Sequence, residues 1–126
     1  MKIIRDLKNI NFNTPIIASI GAFDGIHLGH QKIINKVVNK SKKENLKSAI
    51  ITFYPLPKIF FTKKNFELIS IYKKVDILKN FNLDYLIILR FNEKFISMSS
   101  KEFVENLIIQ KLNIKSLIVG EDFKFG

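Results

Sequence analysis

The chain has no cysteine, which excludes disulfides, thiolate zinc sites and cysteine nucleophiles. That suits a reducing compartment, and a cytoplasmic location is the expectation. No apolar run approaches the ~20 residues that a membrane helix needs. Met1-Lys2-Ile3-Ile4-Arg5-Asp6 has neither the apolar core nor the small-residue cleavage site of a signal peptide. Arginine is scarce as well: the net charge of +10 is carried almost wholly by lysine, with only Arg5 and Arg90 beside it. The lysines are scattered along the chain rather than gathered on one face. They would draw in small anions through the summed field, and the reading is against a nucleic-acid interface. Repeats, low-complexity tracts and linkers are absent. The 126 residues therefore read as one domain, large enough to bury roughly two-thirds of its unfolded surface. Nothing in the sequence fixes an oligomeric state.

What is present alternates strand and helix. Ile16-Ile17-Ala18-Ser19-Ile20 is an apolar run suited to a strand buried on both faces. Over residues 30–44 the period changes, and Ile33, Ile34, Val37 and Val38 recur at helical spacing. Residues 48–53 predict a second strand, stopped by Pro55 and Pro57. Residues 58–69 predict a loop. Ser70 is placed to cap a helix reaching Phe81, with Ile71, Val75 and Leu78 inward. Residues 84–89 form a third predicted strand. Ser99-Ser100-Lys101-Glu102 has the spacing of a capping box, before a helix predicted to turn Phe103, Val104, Leu107, Ile108 and Leu112 inward. Residues 116–119 make a fourth strand.

Repeated β-α units with apolar strands predict an α/β fold: a Rossmann-like parallel sheet with helices on both faces. In such sheets ligands bind beyond the carboxyl ends of the strands. Three unusual segments (21–30, 54–57 and 120–126) each follow a predicted strand, so they should meet at one rim.

Both histidines of the chain, His27 and His30, fall in the first of these segments. Gly21 and Gly25 permit a tight turn ahead of them, and Gly29 leaves room beside the first helical turn. Free N–H groups at that helix start would attract an anion. Two imidazoles on one helix face could donate to it and strengthen as charge builds in a transition state. The same pair could equally cap or pack at a helix start. A metal site would need a third ligand, from Asp24 or elsewhere on the rim, and no protein-held metal is expected. The lysine-threonine end of a Walker A loop is missing, as is GxGxxG spacing.

Gly21-x-Phe23-Asp24-Gly25-x-His27-x-Gly29-His30 resembles the motif of the HxGH nucleotidyltransferase superfamily. The chain is similar in detail to the N-terminal FMN adenylyltransferase (FAD synthetase) domain of the bacterial bifunctional riboflavin kinase/FMN adenylyltransferase family. The resemblance continues through Thr52-Phe53-Tyr54-Pro55-Leu56-Pro57, Leu68-Ile69-Ser70 leading to Lys74, Asp84-Tyr85, Phe91-Asn92 and Ser99 to Phe103. It closes on Val119-Gly120-Glu121-Asp122-Phe123-Lys124-Phe125-Gly126.

It implies adenylyl transfer from ATP to FMN, giving FAD and pyrophosphate, with Mg²⁺ accompanying ATP. By this resemblance His27 and His30 act on the ATP phosphates. Gly21, Phe23, Asp24, Gly25, Gly29 and Asp122 belong to the ATP site. Phe53, Pro55, Pro57, Asp122, Phe123, Phe125 and Gly126 border FMN. Plainer uses compete: Phe53 suits a core, Pro55 and Pro57 suit a strand end, and Asp24 and Asp122 suit turns.

Two departures carry expectations. Leu56 stands where the family usually has histidine. Relatives also continue past the position of Gly126 into a further strand, a Ser-Ser-Thr-x-x-Arg segment and a kinase barrel. The expectation is therefore a partial, C-terminally incomplete adenylyltransferase domain over 1–126, without a riboflavin kinase domain and with turnover in doubt. The alternatives are a non-catalytic nucleotide- or flavin-binding fragment, and an HxGH nucleotidyltransferase with another phosphorylated acceptor.

Overall fold

Side chains of successive strand residues point to opposite faces, and here both faces are apolar. The computed structural model describes residues 1–8, 10–62 and 69–120. Its strands are β1 (Lys2–Ile4), β2 (Ile16–Ile20), β3 (Lys47–Tyr54), β4 (Tyr85–Arg90) and β5 (Ile114–Ile118). They form one parallel sheet in the order β1-β4-β3-β2-β5. Ile16, Ala18, Ile20, Ala49, Ile51, Phe53, Ile87 and Leu89 feed one core layer. Ile17, Ile50, Leu86 and Ile88 feed the other.

Helices cover both layers, as the alternation predicts. Helix α1 (Leu28–Glu44) buries Ile34, Val37 and Val38 on the second layer. Helix α2 (Pro57–Thr62) is short. Helix α3 (Ile71–Leu78) is capped by Ser70, whose hydroxyl accepts from Lys73 N–H at 3.1 Å. It tightens into a 3₁₀ turn over Lys79–Phe81 and buries Ile71 and Leu78 beside α1. Helix α4 (Glu93–Ile96) follows β4. Helix α5 starts at Ser100–Glu102 with the predicted capping box and continues to Lys111. Phe95, Phe103, Ile108 and Leu112 pack on the first layer.

Helix ends rest on asparagine. Asn45, Asn82 and Asn113 take the left-handed conformation after α1, α3 and α5, with φ of 58°, 61° and 56°. Asp84 ties the strand starts together: its Oδ2 accepts from Ser48 N–H at 2.9 Å, and Ser48 Oγ accepts from Asp84 N–H at 3.0 Å.

Four local expectations need correction. Residues 58–62 of the predicted loop are helical, because Pro57 suits a first helical turn and the Ile59 and Phe60 N–H groups both reach Leu56 C=O at 3.0 Å. Strand β1 was not predicted; three residues carry too little periodicity. Strand β5 starts two residues before the predicted run, and Val119 lies beyond it, 47% exposed. Val104 does not face inward. From Phe103 to Lys111 the helix is wound in wider π turns, with Leu112 N–H closing on Leu107 C=O, five residues back, at 2.9 Å. The buried positions become Phe103, Ile108 and Leu112, with Leu107 partly buried against the same layer, while Val104 is 45% exposed.

The shifted period is testable by urea unfolding. Ile108→Ala should lower stability by about 2–5 kcal/mol. Val104→Ala should stay within about 0.5 kcal/mol. Equal losses would restore the ordinary α period.

Candidate active site

The turn from β2 into α1 is strained and pinned. Phe23, Gly25 and Ile26 have φ of 50°, 81° and 43°. Positive φ is ordinary for glycine and uncommon for Phe or the β-branched Ile. Burial holds the two apolar residues there: Phe23 is 3% and Ile26 4% exposed, both in the core layer under α1. The carbonyl of Ala22, at the head of this turn, accepts two side-chain hydrogen bonds. One comes from Thr52 Oγ1 on β3 at 3.0 Å, the other from Lys74 Nζ on α3 at 2.8 Å.

His27 is the N-cap of α1. Its Nδ1 accepts from the N–H of Gly29 at 3.1 Å and of His30 at 3.4 Å. This corrects the expectation of free amides at the helix start, since two of them are taken up by the imidazole. An accepting Nδ1 leaves the ring proton on Nε2. The His30 ring stacks on that of His27, centroids 3.7 Å apart and 19° from parallel. Phe23 packs against His30 at 5.1 Å. Gly29 is what allows the cap: a Cβ there would lie 3.0 Å from His27 Cε1 and 3.2 Å from Nδ1.

These groups line one side of a cavity of about 560 Å³ at the carboxyl ends of β2, β3, β4 and β5. The size falls in the range of small-molecule sites. On its polar side stand Ser19, Gly21, Asp24, His27 and His30. Phe23 lines it beside His30, and the layer on the other face of the sheet contributes Phe53, Phe91 and Phe95, with Phe61 against Phe91. Their rings meet edge-on or tilted, with Phe53–Phe91 at 5.8 Å, Phe53–Phe95 at 5.5 Å and Phe61–Phe91 at 5.7 Å. Phe61 is 64% exposed, so this wall ends in a ring open to solvent.

Of the three segments predicted to converge, 21–30 lines the rim, 54–57 reaches it through Pro57, and the third is described only at Gly120, which also lines it; the segment after β4 joins them. Gly21, Phe23, Asp24, His27, His30, Phe53 and Pro57 all line the cavity. Gly25 and Gly29 shape the turn from behind. Phe53 is both core and lining. Pro55 follows the end of β3 and is not a lining residue; Leu56 is buried beneath. Gly120 reaches the rim from β5. Asp122, Phe123, Phe125 and Gly126 lie outside the described residues. Sequence reasoning missed the parts played by Thr52, Lys74, Phe61, Phe91 and Phe95. The signal available was a lysine among apolar residues of a helix face, and phenylalanines clustered after strand ends. Among the described residues no group of three or more His, Asp or Glu is placed to hold a metal ion.

Comparison with known proteins decides the family. The FAD synthetase family model matches residues 9–126. The chain belongs to the FAD synthetase family. A bifunctional riboflavin kinase/FMN adenylyltransferase of Buchnera aphidicola subsp. Schizaphis graminum is 42% identical over 131 residues, covering 100% of this chain and 41% of the relative. Its Escherichia coli K12 counterpart is 32% identical, covering 100% of this chain and 42% of the relative. The chain thus spans about two-fifths of the length of these curated relatives. A crystal structure described as the macrolide-efflux protein of Streptococcus pneumoniae superposes with a TM-score of 0.85 at 26% identity, covering 100% of this chain and 43% of that one. Among the described residues, no helix is long and apolar enough to cross a membrane. In this member of the FAD synthetase family, then, the histidine motif is a helix cap and a cavity wall at once.

The cap geometry predicts a tautomer. ¹⁵N NMR of His27 should report the Nε2–H form, and Gly29→Ala should shift its ring signals. Stability should change by less than about 1 kcal/mol, because the loosened cap and the better helix former oppose one another. Unmoved His27 signals in Gly29→Ala would refute the steric account.

Proposed function

We propose that this domain transfers the adenylyl group of ATP to FMN, forming FAD and releasing pyrophosphate. The observation that carries the reading is the two-sided cavity, with imidazoles and a pinned glycine turn facing an aromatic wall. Phosphates need donors, whereas a planar isoalloxazine needs apolar and aromatic surface. Family membership and the relatives' names support the same assignment.

In this reading an oxygen of the FMN phosphate attacks the α-phosphorus of ATP. A new P–O–P bond forms, the α–β anhydride breaks, and its electrons leave with pyrophosphate. No proton transfer is required of the protein. His27 donates from Nε2 to phosphate oxygens while its Nδ1 stays committed to the helix amides. His30 stacks behind it and fixes the ring plane. That donor is set before substrate arrives, so it needs little reorganisation as charge develops. Phe53, Phe91 and Phe95 hold the flavin side and exclude water, and Phe61 covers its open end.

Mg²⁺ would accompany ATP, and the chemistry of the lining residues suits it. Magnesium takes one or two carboxylates together with phosphate oxygens and waters. Asp24 is the one carboxylate among the described lining residues. When bound, the ion would neutralise charge on the polyphosphate. The lysine-rich surface, net +10, favours arrival of both anionic substrates. A cytoplasmic setting, where both substrates occur free in solution, belongs to the same proposal.

Incubating the purified protein with ATP, FMN and Mg²⁺ should yield FAD and pyrophosphate. His27→Asn keeps a side chain that caps helices but removes Nε2. The rate should fall on the order of 10²-fold, about 3 kcal/mol of barrier. Quenching of FMN fluorescence without any FAD at saturating ATP would replace the transferase by a binding module. Nucleotide binding without FMN binding would point to another acceptor.

A further inference from the structure

The geometry points to Lys74 as a positioning residue for the turn that receives the ATP phosphates, acting through the Ala22 carbonyl rather than by touching ligand. The ATP part of this inference rests on the proposed function; the clamp itself does not.

Lys74 is 2% exposed, on a helix face that also buries Ile71 and Leu78. A lysine is almost never buried this far without a purpose that offsets its desolvation. Its Nζ reaches across to donate to Ala22 C=O at 2.8 Å. The residues joined are 52 positions apart in sequence, so the bond docks α3 onto the β2–α1 turn. Thr52 Oγ1 meets the same oxygen at 3.0 Å from β3. One carbonyl is thus gripped from two elements that do not otherwise belong to the turn.

The backbone beyond that carbonyl shows why a grip is needed. Phe23 and Ile26 sit at positive φ, a conformation that persists only when its surroundings over-determine it. Between Ala22 and the His27 cap no helix or strand supplies regular backbone hydrogen bonds. Burial of the Phe23 and Ile26 side chains fixes where the turn lies. The two donors on Ala22 fix how its peptide planes are rotated, and therefore where Asp24 and His27 face. Lys74 does not line the cavity, so its influence on a ligand passes through the turn.

Hydrogen exchange in the unliganded protein tests the clamp. Lys74→Met keeps the length and apolar stem of the side chain but removes Nζ. Amides of residues 23–30 should exchange about tenfold or more faster, while the β3 and β4 amides keep their protection. Titration with ATP and Mg²⁺ should show affinity lowered about tenfold, while FMN quenching stays within about twofold, as expected for a distant and separate contact. Thr52→Val should act in the same direction with a smaller effect, and Thr52→Ser, which retains the donor, should restore the wild-type pattern. If Lys74→Met does not fold, the Thr52 pair gives the same readouts. Unchanged exchange at 23–30, or equal loss of ATP and FMN binding, overturns the inference. Wild-type protein that binds no ATP would instead remove the functional reading, and the exchange data would still judge the clamp.

Discussion

The site hangs on one backbone oxygen. Ala22 C=O is where the sheet hands the chain to a turn that contains almost no regular hydrogen bonding, and it is held by β3 through Thr52 and by α3 through Lys74. Downstream of that anchor the backbone visits positive φ three times before His27 starts a helix. A turn of this shape is unfavourable alone. The core under α1, which buries Phe23 and Ile26, offsets that cost.

Topology does the rest. Strands β3 and β5 lie on either side of β2, so the chain leaves β2 on one face and returns beside it from the other. A crevice opens at such a reversal. Because every described strand runs the same way, all the carboxyl ends share a rim. The two core layers reach it with different chemistry. The α1 layer ends in the histidine turn, and the α4–α5 layer ends in phenylalanine rings. The division of the cavity into polar and aromatic sides is the two-layer core continued past the sheet edge.

Much of this was legible in the sequence, and the rest was hidden for identifiable reasons. Continuous apolar runs disclosed β2, β3 and β4, since strands buried on both faces need them. Ser70 and Ser99 marked helix starts through hydroxyl caps that the structure realises. Spacing brought His27 and His30 together on one helix face. It did not reveal that His27 turns back on its own helix, because capping and ligand-facing roles call for the same residue at the same place. The π turns of α5 were unreadable, as apolar residues at Val104, Leu107 and Ile108 fit an ordinary helix equally well. Lys74 was hidden by its chemistry: a lysine in a lysine-rich chain looks solvated until the Ala22 oxygen is seen beside it.

The pairing of β2 with β5 also orders events in time. Paired residues such as Ile16 and Ile114 lie about a hundred positions apart in sequence, and closing so long a loop delays their meeting. During vectorial synthesis β2, α1, β3 and β4 can assemble while the far flank of β2 is still bare. The crevice then gains its β5 wall only when that strand pairs with β2. Occupancy by a small molecule would favour that state by mass action, so a ligand of the crevice doubles as a folding aid.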